Sequence, residues 1–408
     1  MLLAYADRMW RGELGMDGLL TDGSIWGTAH EITDGVAVVP GFSNVTVFRT
    51  GDGLLLFDTG VGFAAQAMHH AVRAWSADPV RYAIYSHGHV DHVGGMAPFD
   101  AEPRPRPVVI AHEDVPRRFD RYKLTSGYNE LVNQRQFGIP QLRWPREYRY
   151  PDRTFRDRYT VELGGLTFAL RHARGETDDH LWAHVPELDM VLPGDLFIWN
   201  APNCGNPQKA QRYPAEWAAA LRAMAGVGAS YLLPSHGPPV VGAERVREAL
   251  TDTASYLESL LEQTLALMNR GARLDEVIQT VTVPPHLAGK PYLRPAYDEP
   301  EFIVRNIWRL YGGWWDGDPA SLKPAPASRE AAVIAELCGG AHALAERASR
   351  ALADDEPRIA ARLAELAVRA APSDEDIQAT HRTVFTTLAG AATSTMARGI
   401  YGAATVEQ

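Results

Sequence analysis

Ser86-His87-Gly88-His89-Val90-Asp91-His92 sets four potential metal ligands within six residues, directly behind the apolar run Tyr82-Ala83-Ile84-Tyr85 and ahead of Gly94-Gly95. Neutral imidazole and ionised carboxylate are good donors to zinc, and a turn at a strand end can converge alternate side chains on one point. A solvated histidine cluster is the plain alternative. The strand in front and Asp91 between the histidine pairs speak against it.

Outward from this segment, residues Gly27 to Val241 alternate short β-branched apolar runs with Gly, Asp and Pro punctuation, as in Val36-Ala37-Val38-Val39 and Leu54-Leu55-Leu56-Phe57. Such runs predict strands. Phe63 to Trp75 has helical spacing and separates the strand ending at Asp58 from the strand that delivers His87, a β-α-β order. Three further polar turns follow apolar runs: Asp58-Thr59-Gly60, Pro193-Gly194-Asp195 and Ser235-His236-Gly237. Each alone is a weak signal. Residues Glu102 to Arg158, rich in Pro, Tyr and Arg, read as a long irregular insertion, and a loop of that length is either a lid or a surface excursion.

From Ala243 the composition changes to Ala, Leu, Glu and Arg runs with helical periodicity: Glu244 to Arg270, Glu301 to Tyr311, Arg329 to Ala353, Pro357 to Ala370 and Ser373 to Thr395. The expected organisation is a catalytic domain at 1–242, with the insertion at 104–160, and an all-helical domain at 243–408.

A chain of 408 residues exceeds what one hydrophobic core usually serves, consistent with two domains. The formal charge of −10 argues against a nucleic-acid or anionic-membrane surface. Cys204 and Cys338 are too few for a disulfide framework or a cysteine-built zinc site, so a metal must be held by histidines and carboxylates. The first thirty residues show no basic segment followed by an apolar run, and no stretch approaches the ~18 apolar residues of a membrane span. A cytoplasmic protein without membrane insertion is expected.

The run His87-x-His89-x-Asp91-His92 resembles the signature of the metallo-β-lactamase superfamily, and the other turns match further motifs of that family in the right order. The resemblance implies an α/β fold, an αββα sandwich, followed here by an all-helical dimerisation domain. It implies that Asp58 orients the metal-binding loop, that Asp195 is the bridging carboxylate and that His236 is the last histidine ligand. The common pattern supplies a histidine from a Gly-His-Thr, whereas this chain reads Gly175-Glu176-Thr177-Asp178-Asp179-His180. Either Glu176 ligates directly or His180 substitutes. The nineteen residues from Glu176 to Asp195 match the alkylsulfatase branch, which uses Glu there, and favour Glu176, with His180 as its neighbour or as acid/base.

The segment Val304-Arg305-Asn306-Ile307-Trp308-Arg309-Leu310-Tyr311-Gly312-Gly313-Trp314-Trp315 resembles the alkylsulfatase dimerisation domain, and Met396 to Ala404 resembles its ending. The chain departs from that branch in its short N-terminal arm, in Asp195 where a second Glu is usual, and in stopping at Gln408 without the sterol-carrier-like domain. The resemblance implies a dinuclear hydrolase with two Zn2+, or other divalent transition metals, cleaving sulfate esters with metal-activated water. His87, His89 and Glu176 would hold one ion; Asp91, His92 and His236 the other; Asp195 would bridge. Asp91 and His180 are the candidate catalytic groups. Arg212, Arg174 and Asn203 are the candidates for binding a small anionic ester. A homodimer through the helical domain is expected. The rival readings keep the site and change the substrate to a lactone, β-lactam, carboxylic ester or phosphodiester, or treat the chain as a non-catalytic dimerising protein.

Overall fold

The computed structural model describes residues 1–15 and 25–406. It divides into two compact units, one formed by Met1–Ser126, Pro145–Gly271 and Val277–Tyr311, the other by Gly127–Trp144, Ala272–Glu276 and Gly312–Gln408. The compositional change at residue 242 and the spatial division thus fall at different places, because the long helix Ala243–Met268 packs on helix Pro214–Ala225 within the first unit.

The first unit is built on two sheets. Seven strands run in sequence order: β1 (His30–Thr33), β2 (Val36–Val39), β3 (Val45–Thr50), β4 (Gly53–Phe57), β5 (Val80–Ile84), β6 (Val108–His112) and β7 (Arg153–Phe155). β1 to β4 pair antiparallel, and β4 to β7 pair parallel. The second sheet has the order β13-β12-β11-β10-β9-β8, from β8 (Arg158–Leu163), β9 (Leu166–His172), β10 (Leu181–Val185), β11 (Met190–Leu192), β12 (Tyr231–Leu232) and β13 (Val240–Val241).

Side-chain alternation sorts the two faces of the first sheet. Val45 and Val47 of β3 join Leu54, Leu56 and the helix residues Met68 and Val72 in one core. Phe48, one residue on, points the other way and meets Phe168 of β9 edge-on, with ring centroids 4.9 Å apart. Both faces are therefore apolar, which is why β2 and β4 are buried along their whole length.

Residues 102–158, expected to be irregular, hold β6, β7 and the helices Val115–Leu124 and Ser126–Phe137. The run Val108-Val109-Ile110-Ala111-His112 is short enough to be lost among Pro and Arg residues, yet Val109 to His112 are buried. Val115, Phe119 and Tyr122 then bury one helical face at the spacing i, i+4, i+7.

The second unit contains helices Ala327–Leu337, Ala341–Ala353, Pro357–Ala370, Glu375–Ala391 and Thr395–Ala403. The single helix expected over 329–353 is two, because Gly339 and Gly340 take φ of 88° and 112° and break it. Small residues let these helices approach closely: Ala348, Ala351, Ala360 and Ala364 pack with Val384 and Phe385.

Candidate metal centre

Parallel pairing puts the carboxyl ends of β4 and β5 side by side, and likewise those of β11 and β12. Asp58 follows β4, the His87–His92 segment follows β5, Asp195 follows β11 and His236 follows β12, while Glu176 lies in the β9–β10 connection. Loops at the carboxyl ends of such strands are where ligands bind in open α/β sheets.

Two groups of side chains converge there: His87, His89, Glu176 and Asp195, and Asp91, His92 and His236, the potential ligand atoms within each group lying within 4.8 Å of one another. Oε2 of Glu176 is 3.7 Å from Nε2 of His87 and 3.7 Å from Nδ1 of His89. Oδ2 of Asp91 is 3.4 Å from Nε2 of both His92 and His236. Oδ2 of Asp195 belongs to both neighbourhoods, 3.9 Å from His87 and 3.4 Å from each of His92 and His236.

Hydrogen bonds behind the cluster fix the imidazoles. Nδ1 of His92 donates to Asp58 at 2.8 Å and Nδ1 of His236 donates to the Phe42 carbonyl at 2.6 Å, so each presents the Nε2 lone pair forward. Ser86 Oγ donates to Asp58 and lies 3.0 Å from Nδ1 of His87, which orients that ring the same way. Asp58, fully buried at φ 57°, also accepts from Ser86 N and Ser235 Oγ and so ties both sheets' loops to one carboxylate. Asn44 completes the frame by donating to the carbonyls of Pro234 and Gly237 on either side of His236. Gly95 must be glycine, since a Cβ there would lie 1.8 Å from the Thr59 carbonyl oxygen.

The donor set fits a cation. Nε2 of His92, Oε2 of Glu176 and Oδ1 of Asp195 are buried without a hydrogen-bond partner. Burial and the nearby Asp195 push the Glu176 carboxyl up to about 8, against Arg212. Burial lowers His236, but Asp195 and Asp91 override it and push His236 up to about 10. Buried carboxylates at this density call for positive charge, and divalent cations supply it without protonating the donors.

Each of the seven residues expected as ligands lies in one of these groups. His180 does not: its Nε2 accepts from the Asp195 backbone N–H at 3.1 Å and its ring stacks on His87 with centroids 4.7 Å apart. Burial lowers its pKa to about 4, leaving it neutral. Asn203 Nδ2 donates to Oε1 of Glu176, and Arg212, 3% exposed, donates from Nη1 to the Glu176 carbonyl and sets Nη2 3.5 Å from Oε1. Arg174 lies apart, stacked on Tyr213 at 3.8 Å and near Glu216.

The sequence reading missed Arg118 and Asp179. Asp179 accepts from the Gly88 N–H in the histidine loop at 3.1 Å and from Nε of Arg118 at 2.8 Å, both side chains being almost wholly buried. The adjoining acids Asp178-Asp179 beside Glu176 were the only available signal.

Residues 38–236 match the family model of the metallo-β-lactamase superfamily, and residues 273–408 match that of alkyl sulfatase dimerisation. Fold and site together define a metallo-β-lactamase-fold protein with a His/Asp/Glu metal-binding cluster. Within that class the chain resembles the alkylsulfatases, since it matches the superfamily model and the alkyl sulfatase dimerisation model in that order. It is 27% identical to a linear primary-alkylsulfatase of Pseudomonas sp. (strain ATCC 19151), over 79% of this chain and 66% of that one. It is 26% identical to an (R)-specific secondary-alkylsulfatase of Pseudomonas sp., over 83% of this chain and 55% of that one. The solved structure of a stereoselective inverting sec-alkylsulfatase from Pseudomonas sp. superposes with a TM-score of 0.84 at 23% identity, over 93% of this chain and 65% of that one. The chain thus spans under two thirds of the length of these relatives.

Proposed function

We propose that the protein hydrolyses sulfate esters of alcohols at a dinuclear centre, with His87, His89 and Glu176 holding one ion, Asp91, His92 and His236 the other, and Asp195 shared. The observation that carries the two-ion reading is the position of Asp195 Oδ2, within 3.9 Å of nitrogen donors from both groups. The sulfate-ester reading is supported by the alkylsulfatase relatives, whose likeness runs through both matched regions.

Zinc or another divalent transition metal, bound there, supplies Lewis-acid polarisation of the ester and acidifies a water toward neutral pH. The chain's own groups prepare that chemistry. Burial opposes ionisation of Asp91, but His92 and His236 keep it a carboxylate able to orient the attacking water. His180, neutral and accepting from the Asp195 N–H, positions that residue and is not placed to donate a proton through Nε2. Arg212 and Asn203 hold Glu176 in place, Arg212 through its carbonyl and Oε1 and Asn203 through Oε1, so their part is to keep Oε2 toward the site where a cation would add positive charge for an anionic ester. The helical region is proposed to pair two copies of the chain, and a monomer mass by light scattering would contradict this.

Alkyl and aryl sulfates should be turned over in a panel that also contains lactones, β-lactams, carboxylic esters and phosphodiesters. Robust cleavage of another class without sulfate release would replace this reading. Fewer than about one transition metal per chain by elemental analysis would remove the two-ion model.

A further inference from the structure

Glu176 is gripped by two side chains of one loop, Asn203 and Arg212. That loop is itself gripped from outside the sandwich, by the segment 298–309. At one end Gly205 N donates to Oδ2 of Asp298 at 2.5 Å, and the loop backbone presses so closely on the helix Pro300–Gly312 that a Cβ on Gly205 would lie 2.1 Å from Ile303 N. At the other end the contact is made by Asn306, a buried amide on the helix face that also carries Ile303 and Ile307.

An amide on an apolar helix face costs stability unless its hydrogen-bonding capacity is used. Here it is used on one residue's backbone: Oδ1 of Asn306 accepts from Arg212 N at 3.2 Å, and Nδ2 donates to Arg212 O at 3.2 Å. The same Oδ1 accepts from Gln211 Nε2 at 2.7 Å, and Arg309 Nε donates to Gln211 Oε1 at 2.8 Å. Asn306 thus bonds both backbone groups of Arg212, whose carbonyl also accepts from Gln211 Nε2 at 2.9 Å, and this fixes where the guanidinium can reach.

We propose that Asn306 is a positioning residue of the metal centre: it clamps the Arg212 backbone so that the guanidinium stays on Glu176 and Oε2 stays turned toward His87 and His89. The helix that carries it lies within the region matched by the dimerisation family, so part of that region serves the metal-binding unit directly. The proposal rests on the metal-centre reading above but does not depend on the substrate.

The test measures zinc affinity by competition with a chromophoric chelator, in protein shown to be folded by circular dichroism. Partners one step behind a ligand typically change metal affinity by about 10–100-fold, and Asn306→Ala, one step further back, is expected near the lower end, about tenfold. Asn306→Asp keeps the acceptor for Arg212 N, loses the donor to Arg212 O, and should fall between wild type and Asn306→Ala. Ile307→Ala, a neighbouring buried truncation, should leave affinity unchanged. In an Arg212→Met background Asn306→Ala should add nothing. Unchanged affinity in Asn306→Ala, an equal loss in Ile307→Ala, or the full loss persisting beside Arg212→Met overturns the proposal. If Asn306→Ala does not fold, Asn306→Asp decides on the same readout, wild-type affinity overturning the clamp. Wild type that takes up no zinc would instead sink the metal-centre reading itself.

Discussion

Glu176 departs from the histidine of the common family pattern, and its surroundings are built for a carboxylate. Asn203 and Arg212 direct donors at it, while Oε2 faces the histidines. His180, the rival from the sequence, is already spent on the Asp195 N–H. Glu176→Gln should therefore lose metal that His180→Ala retains, read as metal per chain after gel filtration. The reverse order would reassign the position. A second residue carries a pH dependence. Burial pushes the Asp298 carboxyl from 3.8 up to about 7, against the N–H donors of Gly205 and Glu299. Between those values the folded chain keeps a proton that the unfolded chain has released, so this group's contribution to stability falls as pH rises through that window and levels off above it. Against Asp298→Asn, wild type should lose unfolding free energy steadily from about pH 4 to about pH 7. A difference that stays flat with pH would contradict the assignment.

Strand ends were the elements most legible in the sequence. A short apolar run followed by polar residues marks β4, β5, β11 and β12 at once, and the donors sit just beyond them because that is where a parallel strand pair releases its loops. Glu176 was legible not from an apolar run, since none immediately precedes it, but from its place in Gly175-Glu176-Thr177, where the family pattern has Gly-His-Thr, and from its spacing to Asp195. The region 102–158 was misread because its strand β6 is five residues long and its helices carry many arginines, whose long stems hide a buried face in any count of polarity. Arg118 shows what that hid. From helix Val115–Leu124 it reaches Asp179, which holds the Gly88 N–H, and its side chain is only 4% exposed. Arg118→Met leaves Asp179 buried without its cation, and a loss of about 3–5 kcal/mol is expected in urea unfolding. A loss under about 1 kcal/mol would mean that the pair behaves like an exposed one.

At the scale of the molecule, composition and spatial grouping part company. The switch to Ala- and Leu-rich helices at residue 243 is real, yet helix Ala243–Met268 and residues 277–311 lie in the unit that carries the metal centre. Periodicity reports that a segment is helical and which face is apolar, not which neighbour covers that face. The pairing of Asn306 with Arg212 joins positions 94 residues apart, a separation that no local pattern encodes. The centre itself draws on both sheets: the histidine loop follows β5 of the first, while Glu176, Asp195 and His236 come from loops of the second. Neither sheet alone offers a full donor set. A cation bound there fastens one sheet to the other and favours only the docked state, so chelation should lower the melting temperature and steepen its dependence on free metal concentration. A melting temperature indifferent to chelator would deny that coupling. Metal held only where the two sheets meet would be retained only by chains whose sandwich has closed, so a loaded centre would mark a completed catalytic unit.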